Sequence, residues 1–142
     1  MKALTIIEPW ASLIAVGAKK IETRSWRTNY RGPLAIHAGK TNRPEFLILA
    51  WQEPFYSALK PLHVNGHRAI IGYHFGCVIA IAQLVDCREI RADNVPSGPE
   101  RYFGDYTRGR YMWILRNVKR LEKPVPVRGH QGLWEWGGGP DV

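Results

Sequence analysis

A single α+β domain in which strands predominate is the fold this sequence predicts, and three observations carry the prediction. The first is punctuation: 14 glycines and 10 prolines in 142 residues leave segments too short for a helical bundle. The second is the alternation of side-chain character at 21–26 and 111–121, the two-residue period of a half-buried strand. The third is the apolar run at 76–85, with Val78, Ile79, Ile81, Leu84 and Val85, which suits a central strand covered on both faces. At 45% hydrophobic content the chain holds one ordinary core rather than two. No repeat, linker or low-complexity block divides it. One domain therefore spans residues 1–142, with a tail that frays from about residue 137.

Residues 4–7 form a short apolar strand ended by Glu8-Pro9. Proline suits the start of a helix, so a helix follows over 10–16, stopped by Gly17, with Trp10, Leu13 and Ile14 turned inward. Over 21–26 the alternation puts Ile21, Thr23 and Ser25 on one face and Glu22, Arg24 and Trp26 on the other. Arg31-Gly32-Pro33 marks a turn before a strand at 34–38, and Gly39-Lys40-Thr41-Asn42 is a polar loop. A second helix runs over 44–53, opening on Pro44 and Glu45 and carrying Phe46, Leu49 and Ala50 toward the core. Pro54 ends or kinks it, and Phe55 packs just beyond. Residues 61–75, with Pro61 and Asn65-Gly66, read as an irregular connection. Residues 88–109 carry Pro96, Gly98, Pro99, Gly104 and Gly109 among charges, and read as an extended surface loop bearing Tyr102, Phe103 and Tyr106. From 111 a strand opposes Tyr111, Trp113 and Leu115 to Met112 and Ile114. The closing segment is packed by Leu133 and Trp134.

Twenty lysines and arginines against twelve acidic residues give a formal charge of +8, a positive potential that favours polyanionic partners. Solubility alone also explains such a surplus, so charge names no ligand. Cys77 and Cys87 lie in or beside an apolar run as small hydrophobes, and no disulfide framework is expected. Nothing resembles a signal peptide or a membrane span, which suits the cytoplasm. Walker, dinucleotide-binding and nucleophile-elbow patterns are absent. His63 and His67 have no cysteine or carboxylate at a diagnostic interval, so neither metal nor cofactor is expected.

The most informative stretch is Gly17-Ala18-Lys19-Lys20-Ile21-Glu22-Thr23-Arg24. A glycine stop delivers Lys19 into a turn, after which a strand projects Glu22 and Arg24 from one face. Arg24 offers a planar fork for phosphate or carbonyl oxygens, Lys19 a point charge, and Glu22 an acceptor for amino groups. The plainer reading is that Glu22 and Arg24 only pair with each other while Lys19 is solvated. For Trp10, Trp113 and Trp134 a core role is the simpler one, whereas Trp26 shares the charged face.

The pattern Gly-x-Lys-x-x-Glu-x-Arg resembles the signature of the ASCH family, a branch of the PUA-like superfamily. Similar stretches follow in the family's order: Ala3 through Ala11, Arg31 through Ala38, the buried strand from Gly76 to Asp86, and Arg110-Tyr111-Met112-Trp113. The resemblance implies a PUA-like β-barrel of five to six strands, mostly antiparallel or mixed, flanked by two or more short helices. It also implies a cleft suited to RNA, single-stranded nucleic acid or a modified nucleoside. Carried over by position, Lys19, Glu22 and Arg24 are the cleft's charged residues, with Trp10 and Trp26 as stacking surfaces. Tyr30, His37 and Lys40 join them if their strand and loop border the cleft.

Some small ASCH proteins resemble amidohydrolases acting on acylated cytidine, in which the motif lysine is followed three residues on by threonine. Here that position is Glu22, and Lys20 with Thr23 repeats the interval one place along, facing the other way. A hydrolase acting on acylated nucleosides or RNA, with Lys19 and Glu22 catalytic, is thus the alternative to a binding domain. A third reading is an adaptor for a protein partner that the sequence does not identify.

Overall fold

A computed structural model describes residues 1–64 and 70–139. Six strands form one mixed sheet: β1 (Lys2–Ile6), β2 (Ile21–Arg24), β3 (Gly32–Ala38), β4 (Cys77–Glu89), β5 (Tyr111–Pro126) and β6 (Leu133–Glu135). Their order is β2-β5-β4-β3-β1-β6. Only β1 and β3 run parallel, Leu4 facing Ile36. The run predicted as the buried strand is β4, and it lies in the middle of the sheet. Three register shifts between β4 and β5 bend both strands, and the sheet curls into half a barrel, the PUA-like arrangement expected.

The curled sheet has two apolar faces. One packs Leu4, Ile36, Ile79, Leu84, Trp113 and Leu115 against Ala11, Ile14 and Ala15 of α1 (Trp10–Ala15). The other gathers Ala3, Ala35, Val78, Ile81 and Leu121 around Trp134 and Trp136. Burial on both faces over residues 78–82 is why β4 reads as a continuous apolar run rather than an alternating one, although Val85, expected in that buried run, is 47% exposed.

α1 stops where the glycine predicts. Gly17 takes φ +84°, a left-handed turn without penalty for glycine, and the amides of Ala18 and Lys19 both donate to the Leu13 carbonyl at 3.0 Å. The chain then reverses and drops Lys19 beneath the sheet edge.

Three expectations need correction. The helix predicted over 44–53 is two short pieces: α2 (Pro44–Leu47) passes into a 3-10 turn at Ile48–Trp51, and α3 (Phe55–Ala58) begins after Pro54. Between 44 and 58 only Ala50 and Phe55 are fully buried, while Ile48 and Trp51 are more than half exposed, so no continuous apolar stripe supports a longer helix. Residues 88–109 are not simply a surface loop: β4 continues to Glu89, and Gly98–Phe103 forms a 3-10 turn. It exists because Phe103 is 1% exposed, edge-on to Phe55 at 5.1 Å and part of a third apolar cluster with Leu13 and Leu59. Finally, the strand expected over 21–26 ends at Arg24, so Trp26 lies beyond it. In the connection at 61–75, His67 falls outside the described residues.

Candidate functional site

Lys19 anchors the site from below. It is 0% exposed, and its Nζ donates to the carbonyls of Ile21 and Phe103, both at 2.6 Å. Glu22 Oε1 lies 3.5 Å from the same nitrogen. Burial pushes the Lys19 ammonium down from its ordinary pKa, while Glu22 and Glu100 act in the opposite sense. Two carbonyls and a carboxylate replace the water a buried ammonium has lost.

The same region is stitched to the segment 98–110. The Glu100 carboxylate accepts the amides of Lys20 at 3.0 Å and Ile21 at 2.9 Å, and Thr23 Oγ1 accepts the Asp105 amide at 3.0 Å. Arg110 Nη2 donates to the Thr23 carbonyl at 3.4 Å. Segment 98–110 therefore stands as a fixed wall beside β2.

Above Lys19, Glu22 and Arg24 meet on one strand face. Arg24 Nε donates to Glu22 Oε2 at 2.9 Å and Nη2 donates to the Thr5 carbonyl at 2.9 Å. Both contacts fix the plane of the guanidinium, and Nη1 has no protein acceptor among the described residues. The Arg24 side chain is 24% exposed, so this preset fork reaches solvent.

Arg24 and Thr5 line two adjoining cavities, which we call the first and second lobes. The first, of 680 Å³, is walled by Trp10, Glu22, Arg43, Tyr102, Asp105 and Arg110. The second, of 1320 Å³, is walled by Trp26, His37, Lys40, Phe75, Arg128 and His130. His37, itself 1% exposed, belongs to a hydrogen-bonded chain. Its Nε2 must donate to the Val127 carbonyl at 2.7 Å, since a carbonyl only accepts. In the neutral ring Nδ1 then accepts from Thr5 Oγ1 at 3.1 Å, and that oxygen accepts from Trp134 Nε1 at 3.1 Å. A Cβ on Gly129 would stand 2.6 Å from both His37 and Thr5, so glycine lets the 127–132 loop lie directly on this chain.

With this geometry in place, comparison with known proteins identifies the chain. Residues 4–125 match the ASCH domain. The chain belongs to the ASCH domain family. Activating signal cointegrator 1 from mouse and from human is 27% and 26% identical to this ASCH domain over 135 residues, 93% of the chain. The match takes in only 22% of those relatives' length. The crystal structure of ASCH from Zymomonas mobilis aligns with a TM-score of 0.52 and 14% identity, covering 96% of this chain and 87% of that one. That likeness bears on the fold.

In this ASCH domain the motif residues separate by depth. Glu22 and Arg24 line the first lobe with Trp10, and Arg24, Trp26, His37 and Lys40 line the second. Lys19 lines neither lobe and sits beneath them. Tyr30 also lines neither, its hydroxyl donating to the Pro33 carbonyl at 2.5 Å. Trp26 stands edge-on to Trp113 at 4.8 Å, and Trp10 edge-on to Phe46 at 5.1 Å, so both rings are partly committed to packing. Sequence reasoning missed Arg43, Tyr102, Asp105 and Arg110 in the first lobe and Phe75, Arg128 and His130 in the second. Their only signal was the mixture of charges and aromatics in glycine- and proline-rich segments.

Proposed function

We propose that this ASCH domain binds single-stranded RNA, or a modified nucleobase within it, along the groove whose two lobes meet at Arg24. The observation that carries the reading is the guanidinium itself. It is held in one plane by Glu22 and Thr5, borders both lobes, and keeps a donor edge unsatisfied among the described residues. A preset fork of this kind matches phosphate and carbonyl oxygens without losing much side-chain freedom on binding. The surplus of positive charge supports a polyanionic ligand, and Trp10 and Tyr102 on the walls of the first lobe support stacking of unpaired bases.

Binding of a labelled single-stranded RNA at low ionic strength, followed by fluorescence anisotropy, tests the proposal. Arg24→Ala removes charge-assisted hydrogen bonds of roughly 1.5–3 kcal/mol, so affinity is expected to fall about ten- to a hundred-fold. Undetectable binding by the unaltered protein, or equal binding by Arg24→Ala, overturns the reading.

The hydrolytic alternative rests on Lys19 and Glu22. To act as base or nucleophile, Lys19 would have to abandon the carbonyls of Ile21 and Phe103 and pass Glu22 to reach the groove. We assign Lys19 to holding the wall in place, and Glu22 to orienting Arg24.

A further inference from the structure

The two lobes differ in how their charges are balanced. Three arginines reach the first lobe, and each has a carboxylate beside it: Arg24 with Glu22 at 2.9 Å, Arg43 with Glu45 at 2.8 Å, and Arg110 with Asp105 at 3.5 Å. In the second lobe Lys40 and Arg128 are exposed. Among the described residues neither has a carboxylate within ion-pair distance and no acidic residue lines that lobe. Unbalanced positive potential therefore concentrates in the second lobe. The first lobe is electrically compensated and carries an exposed ring, Tyr102, 68% exposed.

We infer that the lobes divide the ligand: the second takes the phosphodiester chain of a single-stranded RNA and the first takes its bases. This rests on the reading that the groove binds RNA. Phosphates release condensed counterions only where cations replace them, which places the salt dependence of binding in the second lobe. Bases carry no net charge and gain from aromatic faces and from polar groups whose charges are balanced, which is what the first lobe offers. Arg24, at the junction, serves the nucleotide that passes from one lobe to the other.

The test compares the unaltered protein, the Lys40→Ala/Arg128→Ala double variant and Tyr102→Ala, with circular dichroism checking that each is folded. Probes are a base-bearing RNA octamer and an octamer of the same backbone with its bases removed, each titrated over a range of salt. Loss of two phosphate-facing cations is expected to lower the slope of log affinity against log salt by roughly 1.4, from about 0.7 per charge on single strands. Tyr102→Ala is expected to leave that slope unchanged while weakening the base-bearing RNA roughly five- to a hundred-fold, the equivalent of one lost stacking contact. It should leave the abasic strand bound as before. If neither probe binds the unaltered protein, the RNA reading falls and the division falls with it. If RNA binds but the double variant keeps the full slope, or Tyr102→Ala weakens both probes alike, only the division is overturned.

Discussion

Lys19 illustrates what one buried charge does to the site around it. Its ammonium is the sole side-chain link between the turn after α1 and the Phe103 carbonyl among the described residues, 84 positions along the chain, and it also faces Glu22. Replacing it with a residue of similar length and no charge, Lys19→Met, leaves two carbonyls without that donor and a 7% exposed carboxylate with Arg24 as its remaining cation. Removing one member of a buried pair costs about 3–5 kcal/mol. A loss of that size is expected in urea unfolding, with the midpoint well below that of the unaltered protein. An unchanged midpoint would show that Lys19 is not a strut. The two-residue strand period already puts Glu22 and Arg24 on one face, and their side chains meet at 2.9 Å. The depth of Lys19 was not legible, because its partner carbonyl belongs to a distant segment that no local pattern connects to it.

At the scale of elements, the first helix shows how a local cap becomes a pH response. Glu8 is 1% exposed. Its Oε1 accepts the Ser12 amide at 2.7 Å and its Oε2 pairs with the Ser12 hydroxyl at 2.5 Å, tying the start of α1, and with it Trp10, to the end of β1. Burial pushes the Glu8 carboxyl from 4.5 up to about 7, against the lowering effect of the Ser12 hydrogen bonds. A folded pKa above the unfolded one means a stabilising contribution fully present below about 4.5 and lost as pH rises through about 7. Up to about 3 kcal/mol is at stake over that window. Glu8→Gln keeps an acceptor for the amide and cannot ionise, so its stability between roughly pH 5 and 8 is expected to decline less than that of the unaltered protein. Urea unfolding at several pH values measures this, and parallel profiles would refute it. The elements themselves were legible wherever a short segment decides its own fate: the Gly17 stop, the buried run of β4, and the alternation in β5. They were illegible where burial depends on a remote partner. Phe103 orders the 98–103 turn only because Phe55 and Leu13 are there to receive it, and the helix at 44–53 breaks because Ile48 and Trp51 find no such partner.

For the whole molecule the deciding question is what closes the sheet. The ASCH match ends at residue 125, yet β6 beyond it pairs with β1, Ala3 facing Trp134, and the Trp136 amide donates to the Met1 carbonyl at 2.8 Å. Trp134 and Trp136 are 7% and 6% exposed and fill the second apolar face. The sequence suggested the packing of Trp134, but the strand and Trp136 depend on the far end of the chain. A chain shortened after Pro126 leaves β1 with an unpaired edge and uncovers Ala3, Ala35, Val78, Ile81 and Leu121. Deleting one buried tryptophan side chain costs about 3–5 kcal/mol, and losing two approaches the whole stability of about 5–15 kcal/mol typical of a domain. The shortened chain is therefore expected to lose its near-ultraviolet dichroism and its cooperative thermal transition, and Trp134→Ala in the full chain to keep a cooperative transition at a lower temperature than the unaltered protein. The RNA binding proposed above should vanish with the fold, and the shortened chain also lacks the 127–132 loop that walls the second lobe. A shortened chain that melts cooperatively at the full chain's temperature would mean that β6 lies outside the folding unit.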